Sequence, residues 1–219
     1  MCNCFSRTRS RDEVARWFRV SHNRAAAFEP QPALFPGYDA PVVRKAEDGE
    51  REIVIMNWGF VLPQKDRAPR RVTNVRDDKI PESRFWRPSF EARRCLVPAS
   101  SYCEPDGKTP ATWYWFALQG DHDRPLFAFP GIWRTHKGQI KKGGPDVQLE
   151  TFSFMTTAPN ALTETINHER MPVLLTSDDE FETWLSGSVD DAFSLVHSHD
   201  PAHMRIVQSG KEKKDLLAA

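Results

Sequence analysis

Arg94-Cys95-Leu96-Val97-Pro98-Ala99-Ser100-Ser101-Tyr102-Cys103-Glu104 holds two short apolar stretches separated by small residues, and its reading decides the fold. Arg94–Pro98 and Ser101–Cys103 read as strands, because branched, aromatic and thiol side chains suit a pleated, buried surface. Cys95 and Cys103 fall inside them as small packing residues. Working outward, Thr112–Leu118 gathers Trp113, Tyr114, Trp115 and Phe116 into one run, which fits a buried strand. Leu126–Trp133 and Glu150–Thr156 continue the series. Upstream, Arg51–Met56, Trp58–Leu62 and the short Val72–Val75 also read as strands. Between the later strands, Gly138, Gly143, Gly144 and Pro145 make His136–Gln148 a loose surface loop.

Helices flank this strand-rich middle. Ser10 and Glu13 have capping-box spacing before Val14, Trp17 and Phe18, which predicts a helix over 11–19. Residues 21–50 read as loop-rich, with Pro30, Pro32, Pro36, Gly37 and Pro41 as breakers. A helix is expected near 82–92 with an irregularity at Pro88, and another over Pro159–Ile166. Ser177–Leu185 repeats the capping box with Glu180 and ends before Gly187, and Asp190–His197 is a last candidate. The sequence contains no internal repeat and no low-complexity linker. The expectation is a single compact α+β domain around a curved, barrel-like, mostly antiparallel β-sheet with peripheral helices. It covers residues 1–210 and leaves a short charged C-terminal tail over 211–219.

With 219 residues, the chain is long enough for one substantial core. No apolar run approaches the roughly 20 residues that a membrane span needs, and no secretory h-region follows the early arginines. The four cysteines make no disulfide framework for a domain of this size; an intracellular, reducing compartment is expected. Formal net charge is zero, which argues against coating nucleic acid by bulk charge but allows a local basic groove. Arginines and lysines do concentrate between Arg67 and Arg94, interrupted by Asp66, Asp77, Asp78, Glu82 and Glu91.

Cys2 directly follows Met1. Removal of Met1 would give residue 2 a free amine two carbons from a thiol. Both groups have reference pKa values of about 8 and are partly nucleophilic near neutrality. The amine condenses with an aldehyde to an imine, and the sulfur closes onto the imine carbon to give a five-membered thiazolidine. Cys2-Asn3-Cys4 is also a C-x-C pair, but with Cys95 and Cys103 it fits no standard zinc module.

Three further segments follow Met1-Cys2 in order: Asn74-Val75-Arg76 about fifteen residues after Trp58-Gly59-Phe60, Arg94 to Ala99 with Tyr102-Cys103-Glu104, and Met155-Thr156-Thr157 with Ile166-Asn167-His168-Glu169-Arg170-Met171-Pro172-Val173. Together with Met1-Cys2, this pattern resembles the SOS-response-associated peptidase (SRAP) family, whose members crosslink themselves to abasic sites in single-stranded DNA. The resemblance runs from residue 1 to about 175. It implies a compact α+β fold around a barrel-like sheet, and Cys2 as the residue that forms a thiazolidine with the ring-opened sugar. It further implies that Glu104 handles protons during imine formation, that His168 acts as acid in ring opening and as base later, and that Asn74 orients the amine or the sugar. Arg76 and Arg170 match phosphate-contacting positions, Arg84 is a further candidate, and Phe85 or Trp86 is suited to stack on, or wedge against, a base. The implied role is to shield abasic lesions during the DNA damage (SOS) response with lyase-like chemistry. The protein would act as a DNA-associated monomer needing no metal, cofactor or membrane. Met1 would leave by aminopeptidase action or by self-cleavage.

The sequence departs from the family pattern in places. Asn3-Cys4 replaces Gly-Arg, Val61-Leu62-Pro63-Gln64 lacks the Pro-Ser-Trp that often follows Trp-Gly, and Pro105 replaces a Trp after Glu104. Two other classes of function compete. An N-terminal-cysteine peptidase or amidohydrolase would turn over a small substrate, and a non-catalytic single-strand-binding module would tolerate Cys2→Ala.

Overall fold

The segment from Arg94 to Pro105 forms two strands that belong to different sheets, joined at Ser100. The structure is a computed structural model describing residues 2–120 and 124–216. In chain order its elements are β1 (Phe5–Arg7), α1 (Arg11–Trp17), β2 (His22–Asn23), β3 (Gln31–Leu34), β4 (Asp39–Lys45), β5 (Arg51–Trp58), β6 (Phe60–Leu62), β7 (Arg70–Val72), β8 (Asn74–Arg76), α2 (Arg87–Ala92), β9 (Arg94–Ala99), β10 (Ser101–Pro105), β11 (Trp113–Leu118), β12 (Phe127–Gln139), β13 (Asp146–Thr157), α3 (Ala161–Glu164), β14 (Met171–Pro172), α4 (Asp178–Ser186), α5 (Val189–Ser194) and β15 (Met204–Gly210), with single 3-10 turns at Asp77–Lys79 and Pro201–His203.

The larger sheet closes on itself. β13, β12, β9, β4 and β5 are antiparallel neighbours in that order, and β5 returns to β13 through a parallel pairing of Asn57 with Thr151 and Trp58 with Phe152. Strand alternation fills both faces. Cys95, Val97 and Ala99 point into the barrel with Val42, Met56, Trp58, Phe129 and Phe154, while Leu96 points outward under the helices with Val43, Ile53 and Trp184. Burial on both faces explains the nearly unbroken apolar runs of β9 and β12. The smaller sheet, in the order β15-β11-β10-β1-β3, lays Phe5, Tyr102 and Phe116 against the barrel interior. Stacking of Phe129 on Phe154, with ring centres 4.4 Å apart, and of Trp58 on Phe154 at 5.3 Å makes this shared core aromatic.

The α+β barrel-like architecture expected from the sequence is the one found. Both capping boxes form: Glu13 accepts from the Ser10 N–H, and Glu180 from the Ser177 N–H. Three local readings need correction. Residues 21–50 are not mainly loop, since they contain β4, a strand of the closed barrel. Pro41 is accommodated because β4 meets β9 only at Val43↔Leu96, so a missing N–H at position 41 costs no bond to β9. The loop expected over 136–148 is mostly hairpin, as β12 continues to Gln139 and β13 begins at Asp146. The Pro88 irregularity is instead a helix start, because proline is tolerated in the first turn. In the stretch read as a tail from 211, Asp215 is fully buried.

Gly131 marks the tightest point of the barrel wall. A Cβ there would lie 2.9 Å from Cys95 Sγ and 3.1 Å from Val97 Cγ2. Gly131→Ala is expected to destabilise the fold by about 1–3 kcal/mol through overpacking, read as a lowered urea midpoint. The loss should shrink in a Cys95→Ala background, where the nearest clash is removed.

Candidate active site

Cys2 precedes β1 and is carried along β10. β1 pairs antiparallel with β10 (Phe5↔Tyr102, Ser6↔Ser101), and the Cys103 N–H donates to the Cys4 carbonyl at 2.9 Å, extending the contact toward the terminus. Cys2 itself is fully buried in the shared core with Phe5 and Tyr102, and its thiol donates to the Cys4 carbonyl at 3.5 Å. Glu104 follows Tyr102 by two positions, so strand alternation sends both side chains to the same inner face; Glu104 is 1% exposed. Cys103 lies between them and faces outward, packing with Cys4 and Trp115.

His168 follows Asn167, whose positive φ of 58° turns the chain back from α3 toward β14. The His168 Nδ1–H donates to the Arg170 carbonyl at 2.6 Å, which fixes the ring's orientation. Nε2 then lies 3.1 Å from Glu104 Oε2. This contact pairs the imidazole with the carboxylate. Asn74 is almost fully buried on β8, which adds in parallel to β13 (Phe154↔Asn74). The N-terminal segment is tied to this strand, as Thr73 Oγ1 donates to Asn3 Oδ1 at 3.0 Å. Asn3 does not have positive φ, so the place of the family's glycine makes no left-handed demand here.

The chemical character of this cluster follows from burial. Burial pushes the Cys2 thiol well above its ordinary pKa, and the nearby Glu104 charge pushes it further, so the resting group is a protonated thiol. The Glu104 carboxylate raises the pKa of His168, outweighing the opposing effect of partial burial. Among the described residues, both amide atoms of Asn74 and Glu104 Oε1 are buried without a hydrogen-bond partner, while Glu104 Oε2 faces His168 Nε2. Each such group costs roughly 1–3 kcal/mol.

A cleft of about 300 Å³ opens beside Asn74, lined by Arg70, Arg71, Arg76, Lys79 and Trp86. It contains no carboxylate among its lining residues. Arg76 is exposed and forks onto Asp78 at 2.8–2.9 Å, a contact that a phosphate could replace. Arg170 is held more firmly, bonding Asp77 and the Thr156 carbonyl. Arg84 and Phe85 line a separate cleft of about 470 Å³ with Arg93, Trp133 and Arg134. There Phe85 meets Trp86 edge-on, with the Arg134 guanidinium 5.2 Å from its ring centre. The aromatic beside Asn74 is therefore Trp86. Arg70, Arg71 and Lys79 join it only through the fold. Cys4 is a poor nucleophile, its thiol pushed up to about 12 by burial. Among the described residues, no group of three or more His, Cys, Asp or Glu side chains is placed to hold a metal ion.

Comparison with known proteins places this geometry in context. The family profile described as SOS response associated peptidase (SRAP) matches residues 1–212. The abasic site processing protein YoqW of Bacillus subtilis is 28% identical over 218 residues, covering 95% of this chain and 92% of that protein. The abasic site processing protein HMCES of Xenopus tropicalis is 24% identical over 236 residues, covering 93% and 70% respectively. A solved structure from Bacteroides thetaiotaomicron superposes with a TM-score of 0.75 at 24% identity over 95% of this chain and 90% of that one, a likeness of fold.

The His168–Glu104 contact has a pH signature. A histidine whose folded pKa is raised stabilises the fold fully below its unfolded value of about 6.5, and that contribution is lost as pH rises through the raised folded value. The His168 imidazole, followed by NMR, should titrate at higher pH in the wild type than in Glu104→Gln. An unchanged midpoint in the variant would remove Glu104 as the cause.

Proposed function

The chain belongs to the SOS response associated peptidase (SRAP) family, and from that premise we propose that it captures abasic sites in single-stranded DNA through a covalent bond to Cys2. The observation that carries the reading is the buried Cys2 thiol within electrostatic reach of the buried Glu104 carboxylate, whose Oε2 lies 3.1 Å from His168 Nε2. The names of the abasic site processing relatives support the choice of lesion.

Met1 lies outside the described residues, and its removal is the first requirement, because only then does Cys2 carry a primary amine. An abasic deoxyribose exists mainly as a closed hemiacetal. His168, whose pKa is raised by its contact with Glu104, supplies the proton that opens the ring to the aldehyde. The Cys2 amine adds to that aldehyde, and loss of one water gives the imine. The Cys2 sulfur then closes on the imine carbon as the C–S bond forms, and the thiol proton is relayed through the carboxylate–imidazole pair to the imine nitrogen, which becomes the ring N–H. The balance is one aldehyde plus one aminothiol giving one thiazolidine and one water. Because burial keeps the thiol protonated, the sulfur is inert until the imine stands beside it. The Asn74 amide holds the amine or a sugar oxygen. Arg76 and Lys79 take the flanking phosphates in the cleft where Trp86 offers an aromatic face.

Mature protein incubated with a uracil-containing oligonucleotide treated with uracil-DNA glycosylase should give a slower band on a denaturing gel. Cys2→Ala should abolish it, Cys2→Ser should lose the stable ring, and Cys4→Ala should retain it. No shifted band from wild type shown by mass spectrometry to lack Met1 would end the crosslinking reading. Turnover of a small amide without an adduct would favour the peptidase alternative.

Phosphate contact by Arg76 has its own readout. Arg76→Ala should weaken oligonucleotide binding similarly for all sequences and reduce the slope of log K against log salt by about one, measured by fluorescence anisotropy across a salt series.

A further inference from the structure

Asp215 is fully buried on the back of the smaller sheet, in a segment that the chemistry above does not use. Its Oδ2 accepts from Ser101 Oγ at 2.5 Å, Arg124 Nε at 2.9 Å and Ser6 Oγ at 3.2 Å, and its Oδ1 accepts from Arg124 Nη2 at 2.8 Å. Ser6 and Ser101 are register partners across the β1–β10 ladder, so a single carboxylate bonds both strands at the same rung. The Asp215 N–H also donates to the Pro32 carbonyl of β3 at 2.8 Å. The residues just before it continue across the sheet: the Lys213 carbonyl accepts from Cys4 Sγ at 3.8 Å, and the Glu212 carbonyl from Trp115 Nε1 at 3.3 Å. Residues 212–215 thus form a strap over the outer face of β3, β1, β10 and β11.

The two strands gripped by Asp215 are those that present the reacting groups on the opposite face. β1 leads back to Cys2, and β10 carries Glu104. The ladder that relates them is short, with two register pairs between strands. A slip or splay of β1 would move the terminal aminothiol away from the carboxylate. We propose that Asp215 is a positioning residue of the Cys2 site, setting Cys2 against Glu104 by clamping β1 to β10 from behind. Stability alone is a weak reason for such an arrangement, since a buried ion pair often contributes little net folding energy. Positional precision is a stronger one, because displacement of reacting groups by about 1 Å can cost a hundredfold in rate.

This inference rests on the proposed reaction at Cys2, so its test has two arms. The first measures the single-turnover crosslinking rate at saturating abasic oligonucleotide, together with Kd for an oligonucleotide carrying the unreactive tetrahydrofuran abasic analogue. The second measures alkylation of the Cys2 thiol by iodoacetamide, resolved from Cys4 by peptide mass, and needs no crosslinking. Asp215→Asn should lower the crosslinking rate about tenfold or more, leave Kd within about twofold and accelerate Cys2 alkylation. If leaving Arg124 unpaired prevents Asp215→Asn from folding, the double variant Ser6→Ala/Ser101→Ala cuts the strap from both strands while keeping the Arg124–Asp215 pair, and the same outcome is expected. A folded variant with wild-type rate and wild-type Cys2 alkylation overturns the proposal. So does a parallel loss of rate and of analogue binding, which would indicate a general structural role. If wild type forms no crosslink, the proposed reaction fails, and the alkylation arm alone decides whether Asp215 holds Cys2.

Discussion

The antiparallel pairing of β1 with β10 is the constraint on which the site depends. It is short, yet it brings the second residue of the chain alongside Glu104, about a hundred residues later in sequence. Strand alternation then separates two environments. Tyr102 and Glu104 enter the inner core with Cys2 and Phe5, and Cys103 turns outward to Cys4 and Trp115. Two thiols near the terminus therefore have different fates. One stands before a buried carboxylate and an imidazole, and the other is a packing residue beneath the C-terminal strap.

The barrel supplies the rigidity that this pairing lacks. Parallel closure of β5 on β13 leaves no free edge among the five barrel strands, and the helices cover the outer face, with the Trp184 indole N–H bonded to the Cys95 and Gly131 carbonyls. β8 docks on the same β13 and brings Asn74 in, while the Ser100 corner feeds β10 from the barrel wall into the second sheet. A rigid surround of this kind holds the buried side chains of the site in place, because packing on every side limits their relaxation.

Legibility in the sequence followed the range of the physics involved. α1 and α4 were readable because a capping box and an apolar stripe are local features, satisfied within one turn. β9 and β11 were readable from their continuous apolar runs, and β13 from the alternation of Phe152 and Phe154 with Thr151 and Ser153. β4 was not, because its prolines are loop signals in isolation, and only the divergence from β9 makes Pro41 harmless. The hairpin beyond His136 was hidden for a similar reason: its glycines look like loop, and the ladder bonds that make it strand come from its partner.

The sequence by itself determined the candidate groups: a cysteine behind Met1, a carboxylate on a strand, a histidine beside Arg-Met-Pro, and motif order sufficient to identify the family. It also determined the α+β class, because strand periodicity and helix caps are written residue by residue. Only the tertiary structure decided which of these groups meet. It set His168 against Glu104, placed Trp86 rather than Phe85 beside Asn74, committed Arg170 to Asp77, and drew Asp215 out of an expected tail into the back of the site. Contacts between residues distant in sequence depend on strand register and barrel closure, and these are properties of the whole packed chain that no local window contains.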